Sequence, residues 1–332
     1  MKKALIILLA FLMLMMSSCE LLDLFDNGDA DESTSSSTIV DQSHKHSFTS
    51  TQVAPICDQR GYTHNVCACG YEYIDNFINE LGTHTFERGI CTVCGEVDYA
   101  EIVNMISTEA IKANVSVKTL YVNKGFGFET QVGASNGSGV IINYANGEYY
   151  LLTNNHVVYS KELSERSTGK RYYVTDYMGN EYQATLIGGS ARADYDLALL
   201  KFESQEKYTV LDLEEGNSQR GDMVVSLGQP EGQPNTITLG EVKSYTRVTI
   251  TDSDVTECNV SFEVLQHDAY INNGSSGGAL LDSKLNVIGI NYAGTESEDG
   301  KNTSSYAIPV EKVYEYFGVV GYDYKPFNQA EK

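Results

Sequence analysis

Gly274-Ser275-Ser276-Gly277-Gly278-Ala279-Leu280 is the stretch on which the reading of this chain turns. Ser276 stands two places after one glycine and directly before a pair of them. A serine that attacks a carbonyl creates an oxyanion, and the oxyanion needs backbone N–H donors aimed at one point. A glycine at 274 lets its own N–H and that of Ser276 converge there with no Cβ in the way. A Gly/Ser surface turn would be spelled with the same letters, so the decision rests on what lies upstream.

Two upstream segments supply the missing chemistry. Leu151-Leu152-Thr153-Asn154-Asn155-His156-Val157-Val158 runs an apolar strand into a histidine. Ala193-Asp194-Tyr195-Asp196-Leu197-Ala198-Leu199-Leu200 opens another apolar run with an aspartate. The order is His, Asp, Ser, with gaps of 40 and 80 residues. That is the order of the chymotrypsin arrangement and not of subtilisin or the α/β-hydrolases. A histidine can accept a serine proton near neutral pH, and a buried carboxylate fixes its tautomer and stabilises the imidazolium.

From about residue 115 onward the chain resembles a trypsin-like serine protease of the HtrA/Deg type. The likeness is carried by Gly137-Ser138-Gly139-Val140-Ile141-Ile142, Leu152-Thr153-Asn154-Asn155-His156-Val157-Val158, Asp196-Leu197-Ala198-Leu199-Leu200 and Gly228-Gln229-Pro230. It continues through Asp268-Ala269, Gly274 to Gly278, Val287-Ile288-Gly289-Ile290-Asn291 and Tyr306-Ala307-Ile308-Pro309. The resemblance implies a mostly β fold of two six-stranded barrels with the active site between them. It assigns His156 as general base, Asp196 as its orienting carboxylate, Ser276 as nucleophile, and the N–H groups of Gly274 and Ser276 as the oxyanion hole. Catalysis of this kind uses no cofactor, and the substrates it implies are polypeptides.

The resemblance also implies a specificity pocket. Tyr270, six residues before the nucleophile, stands at its floor and offers no buried charge. Ile290, Asn291 and Tyr292 form its wall and an edge strand for extended substrate. A shallow apolar pocket for small aliphatic side chains is the expectation. The sequence departs from the family pattern at Ser275, where Asn or Asp is usual, at Asn273, where Pro is common, and at Ala279. No PDZ-sized stretch follows Pro309, so PDZ-coupled regulation is not expected.

Rival assignments for the site are weaker. His267 beside Asp268 precedes the serine in the same segment and reads as structural. Asp194 competes with Asp196, but Asp196 directly opens the Leu-Ala-Leu-Leu run. Gly137-Ser138-Gly139 has no lysine after it, so it reads as a tight turn before a strand at 140–144 and not as a phosphate loop.

The N-terminal third is organised differently. Lys2-Lys3, the apolar run Ala4 to Met16 and Ser17-Ser18-Cys19 resemble a bacterial lipoprotein signal, since the run is short of the about 20 residues of a spanning helix. This predicts a signal at 1–18, Cys19 as the lipidated first mature residue, and a place on the extracytoplasmic side of a bacterial cell membrane. The acidic, Ser-rich stretch 19–43 reads as a tether. Residues 44–98 then form a Cys/His-rich, zinc-ribbon-like module with a degenerate repeat. His46-Ser47-Phe48 leads through Cys57 to Cys67-Ala68-Cys69-Gly70, and His84-Thr85-Phe86 leads to Cys91-Thr92-Val93-Cys94-Gly95.

Paired cysteines in an exported chain usually mean disulfides. Five cysteines cannot pair evenly, however, and interleaved histidines favour a structural zinc with Cys91, Cys94, Cys67, Cys69 and His84 as ligands. No His-Glu-x-x-His motif accompanies them, so a catalytic metal is not expected. Cys258 stands apart and reads as a small packing residue. Residues 99–113 carry Ile102, Ile106, Ala110 and Ile111 at helical spacing, and 114–332 form the protease-like domain, beginning with an alternating strand at 114–123.

Composition bounds the partners. The formal charge is −22 with no basic cluster, which argues against nucleic acid. Tyrosine is abundant at 23 residues and tryptophan absent, and Tyr-rich runs such as 172–182 suit half-exposed strands. Two functions from different classes fit these features: a membrane-tethered serine endopeptidase, or a surface protein-binding module on a protease-like scaffold with weak or no catalysis.

Overall fold

The alternating pattern at 114–123 becomes strand. The computed structural model describes residues 45–327 apart from 126, 189–193, 230–234, 251–258 and 297–301. Cys19 with the signal and tether, and Cys258, lie outside the described residues.

Residues 45–98 contain short strands: β1 (Phe48–Val53), β2 (Gly61–Cys67) and β3 (Glu72–Ile78) in a sheet of order β1-β2-β3, then the two-residue strands β4 (Phe86–Glu87) and β5 (Ile90–Cys91). This stretch is not one body. Among the described residues, 45–53 join Thr63–Asn76 in one compact unit, whereas Ala54–Tyr62 belong with those from Phe77 onward.

Helix α1 (Tyr99–Thr108) follows, capped by Asp98, whose carboxylate accepts from the N–H groups of Ala100 and Glu101. It buries Ile102, Met105 and Ile106, one face at helical spacing. A 3₁₀ turn, Ala110–Ala113, leads into the barrels.

The first barrel comprises β6 (Asn114–Lys124), β7 (Glu129–Ala145), β8 (Glu148–Thr153), β9 (Gly169–Thr175), β10 (Glu181–Gly188) and β11 (Ala198–Glu203), closed in the order β10-β11-β8-β7-β6-β9. β6 buries Val115, Val117, Thr119 and Tyr121, every second residue, as a strand with one face on a core must. Asn146-Gly147, both at positive φ, turn β7 back onto β8 in the manner of a tight hairpin and set the register Ala145↔Glu148. Short helices α2 (Asn155–Val158) and α3 (Lys161–Glu165) follow β8.

The second barrel comprises β12 (Met223–Gly228), β13 (Thr236–Thr246), β14 (Val264–His267), β15 (Ala279–Leu281), β16 (Val287–Glu296) and β17 (Asn302–Pro309), closed in the order β12-β13-β14-β17-β16-β15. Helix α4 (Val310–Val320) buries Val310, Val313, Tyr316 and Phe317 and ends at Gly321 with φ +72°.

Two barrels of six antiparallel strands agree with the fold expected from the motifs. One local reading does not hold. Gly137-Ser138-Gly139 is no turn but lies inside the 17-residue strand β7. Its glycines serve close packing: a Cβ at 137 would come within 2.8 Å of the Ser276 carbonyl oxygen and 2.5 Å of Val157.

Candidate active site

Strand register alone brings the histidine and the aspartate together. β11 pairs with β8 so that Ala198 faces Thr153. His156 comes three residues after the end of β8 and Asp196 two residues before β11, so the two chain ends meet over the rim of the first barrel. The pairing is extended by the Asn155 N–H, which donates to the Asp196 carbonyl at 3.0 Å, and by Asn154 Nδ2, which donates to the same oxygen at 3.0 Å.

The Asp196 carboxylate is fully buried and both its oxygens face the histidine. Oδ1 accepts from the His156 backbone N–H at 2.9 Å, and Oδ2 lies 2.7 Å from Nδ1 of the ring. Asp196 adopts φ +46°, a left-handed conformation that costs an L residue about 1–2 kcal/mol, though aspartate tolerates it better than most. The surrounding hydrogen bonds hold it there. Burial works against a charged His156, but the attraction and hydrogen bond of Asp196 outweigh it, and the imidazole pKa is raised above its ordinary 6.5. With Nδ1 committed to the carboxylate, Nε2 is left to exchange protons. Asp194, the rival carboxylate, is exposed.

Ser276 comes from the second barrel, on the loop that leads into β15, and remains half-exposed. The first barrel carries this loop. The Ser138 N–H donates to the Ser276 carbonyl at 2.8 Å, and the buried Ser138 hydroxyl donates to the Gly274 carbonyl at 2.7 Å while accepting from the Gln229 N–H at 2.9 Å. Gly277 sits against the same strand with φ +87°; a Cβ there would lie 2.3 Å from the Ser138 carbonyl oxygen and 2.2 Å from Thr153 Oγ1. No other residue combines that φ with that contact. Among the described residues no hydrogen bond joins Ser276 Oγ to His156; in enzymes of this chemistry the contact tightens in the complex with substrate.

The loop also presents donors. Gly274 turns with φ +97°, while the Ser275 N–H donates to the Asn272 carbonyl and the Gly277 N–H to the Asn291 carbonyl. Between them, the N–H groups of Gly274 and Ser276 have no acceptor among the described residues. Ser275, unusual at its position, is buried, and its hydroxyl accepts from the Asn272 N–H at 3.2 Å, which stiffens the turn.

The residues of the expected pocket stand in different environments. Tyr270 is 45% exposed, its hydroxyl accepting from Asn272 Nδ2 at 2.9 Å. The side chains of Ile290, Asn291 and Tyr292 are buried in the second barrel, and Asn291 Nδ2 donates to Ser226 Oγ at 2.9 Å. The Asn291 N–H donates to the Gly278 carbonyl, so its backbone is engaged as well. The reason is topological: β16 is an inner strand of a closed barrel, between β15 and β17. It outruns the three-residue β15, so Ala293 and Gly294 pair with β17 on one side and with no described strand on the other. His267, as expected, takes no part; it is buried and burial lowers its pKa to about 4.

The metal-ligand set divides in two. His84, Cys91 and Cys94 gather with Cys57, which the sequence reading left out, while Cys67 and Cys69 gather with His46. The odd fifth cysteine was the available signal for Cys57. His64 stands outside both groups, 3.0 Å from Glu72.

Comparison with known proteins finds similar sequences among serine proteases. Residues 137–290, from within β7 to within β16, match the family model for a trypsin-like peptidase domain. A probable periplasmic serine protease do/HhoA-like of Haemophilus influenzae is 36% identical over 174 residues, 52% of this chain and 34% of that protein. Serine protease Do-like HtrB of Bacillus subtilis is 36% identical over 179 residues, 53% of this chain and 36% of that protein. The chain thus spans about a third of the length of the curated relatives it matches. A solved HtrA-type protease with a bound tripeptide aligns at a TM-score of 0.49 and 30% identity, covering 66% of this chain and 63% of that one.

Proposed function

We propose that this chain is a serine endopeptidase of HtrA/Deg type that cleaves exposed or unfolded polypeptide through an acyl-enzyme. The observation that carries the reading is the two-oxygen clamp of Asp196 on His156, beside a serine loop that the first barrel holds by two hydrogen bonds from Ser138, whose hydroxyl also accepts from the Gln229 N–H.

In this mechanism Ser276 Oγ attacks the peptide carbonyl carbon as its proton passes to His156 Nε2. The carbonyl oxygen becomes an oxyanion and accepts from the Gly274 and Ser276 N–H groups. Asp196 stabilises the imidazolium without taking its proton. Collapse of the intermediate breaks the C–N bond, and His156 gives its proton to the leaving amine. A water molecule, deprotonated by the same nitrogen, then hydrolyses the acyl-serine. An extended substrate adds as a strand along the Ala293–Gly294 edge, where β-augmentation supplies main-chain hydrogen bonds. A purely binding scaffold gives no reason for a strained Asp196 with both oxygens on one histidine.

The catalytic domain is held at the outer face of a bacterial membrane by lipid on Cys19. The Lys2-Lys3, apolar and Ser-Ser-Cys sequence supports the lipid anchor, and the periplasmic designations of relatives support the extracytoplasmic side alone. Zinc in residues 44–98 is structural and takes no part in the reaction. Casein hydrolysis tests the catalytic assignment: Ser276→Ala and His156→Ala each reduce kcat by on the order of 10⁴-fold or more, and the double variant is no worse than either, because the groups act as one unit. Near-normal turnover in either single variant contradicts it.

A further inference from the structure

We infer that residues 45–98 hold two separate zinc sites of unequal kind: a closed Cys57/His84/Cys91/Cys94 site and a more exposed one built on His46, Cys67 and Cys69. The inference rests on the structural-zinc reading given above and assigns its ligands.

Geometry supports the first site. One ligand atom from each of Cys57, His84, Cys91 and Cys94 lies within 4.8 Å of all the others. Cys57 Sγ is 3.5 Å from Cys91 Sγ, and Cys94 Sγ is 3.4 Å from His84 Nδ1. Zinc–sulfur bonds of about 2.3 Å and zinc–nitrogen bonds of about 2.0 Å in a tetrahedron put ligand atoms roughly 3.5–3.8 Å apart. The two sulfurs are also well beyond the about 2.05 Å of a disulfide. Three thiolates and an imidazole form a set that suits zinc, and the thiols release their protons to solvent when it binds.

The surroundings of His84 point to a metal independently. Its Nδ1 faces the cluster while Nε2 lies 3.1 Å from Glu96 Oε2. A carboxylate behind a ligating histidine fixes the tautomer and raises the basicity of the ligating nitrogen. The backbone is arranged to match. Cys91 and Cys94 share a turn closed by the Gly95 N–H on the Cys91 carbonyl at 2.9 Å, and Gly82 N–H on the Cys57 carbonyl at 2.8 Å brings the distant cysteine in. Cys57 and Cys91 are each only 2% exposed.

The second group repeats the design in a looser form. His46 Nδ1 is 3.3 Å from Cys69 Sγ, and the three ligand atoms lie within 4.8 Å of one another. The Gly70 N–H closes the turn on the Cys67 carbonyl at 2.9 Å, as Gly95 does on Cys91. Each histidine stacks on the phenylalanine two residues later, His46 on Phe48 at 5.6 Å and His84 on Phe86 at 5.7 Å. The sequence repeat is therefore a repeat of ligand geometry. Here, however, His46 and Cys69 are exposed, so this ion exchanges with solvent more readily.

Elemental analysis of the reduced full-length chain, purified without chelator, followed by competition with a chromophoric chelator, tests the assignment. Two zinc ions per chain are expected, one surrendered early and one late. Cys69→Ser should retain only the late ion and Cys57→Ser only the early one. Should Cys57→Ser fail to fold, Glu96→Gln is the conservative probe: it should keep both ions and weaken the late one about 10–100-fold. A single zinc lost from both cysteine variants, or a late ion unmoved by Glu96→Gln, overturns the two-site inference but leaves structural zinc standing. No zinc in the wild type, with Cys57 disulfide-bonded, overturns the zinc reading itself.

Discussion

Strands β8 and β11 of the first barrel bury Tyr149, Leu151, Leu152, Ala198, Leu199, Leu200 and Phe202, whereas β1 and β3 of the N-terminal stretch leave almost every residue exposed or half-exposed. Each buried leucine contributes about 1.5–3 kcal/mol, so the barrels are held by a core. β1 and β3 have no such source, and Tyr71, Tyr73, Ile74 and Phe77 stand open to solvent nearby. What residues 45–98 do have is two gatherings of cysteine and histidine. Small modules that cannot build a core commonly rely on a metal or on disulfides. The difference teaches where to look in each region: burial pattern explains the barrels, ligand geometry explains the N-terminal stretch.

Chelation should break this comparison most sharply, since structural zinc contributes on the order of 10 kcal/mol to the folding of small metal modules. Strong chelator is expected to make residues 45–98 sensitive to an added protease and fast in amide exchange while the barrels stay protected and casein hydrolysis continues. Equal loss of protection in both regions would mean that the barrels depend on the metal too.

Next in size is the orienting carboxylate. Asp196→Asn should lower kcat by about 10⁴-fold with substrate binding little changed, because an amide holds the imidazole in the wrong tautomer. Asp194→Asn, at an exposed position, should stay near wild type. Steady-state kinetics on the two variants decides between them, and the reverse ranking moves the role to Asp194.

These contrasts also mark what the sequence could and could not show. His156, Asp196 and Ser276 were legible because each sits at a strand end beside an apolar run, and strand pairing then brings His156 and Asp196 into contact. The place of Gly137-Ser138-Gly139 was not, because a glycine inside a strand and a glycine in a turn look alike until the neighbour that crowds it is known. The resemblance names Ile290, Asn291 and Tyr292 but does not tell that their side chains are buried on an inner strand of a closed barrel. Cys57 escaped because its partners lie 27 or more residues away, brought near by loops that no periodicity reports. Helix α4 could have been found from the spacing of Val310, Val313, Tyr316 and Phe317.

A smaller effect concerns the brace between barrels. Ser138→Ala removes a buried hydroxyl that holds Gly274 and Gln229 together, and a lost buried hydrogen bond costs about 1–3 kcal/mol. A fall of roughly 10–100-fold in kcat is expected as the donor turn loosens, with KM changed less. Full activity in this variant would show that the Gly274 turn is held by other contacts.

The mildest expected effect is in pH. Because Asp196 raises the pKa of His156, the imidazolium persists above pH 6.5 and cannot accept the serine proton there. Activity should therefore climb with pH through an inflection above 6.5, read from the kcat/KM profile. An inflection below 6.5 would mean that burial of the ring outweighs the carboxylate.

The central claim, an activated serine at position 276, is tested most directly by a fluorophosphonate probe, which reacts covalently with such a serine. Incubation with the native chain followed by peptide mass mapping should find one label per molecule, on Ser276, absent from Ser276→Ala and from heat-denatured protein. Native, folded protein that takes no label, or takes it equally on Ser275 or in the Ser276→Ala variant, would contradict the account.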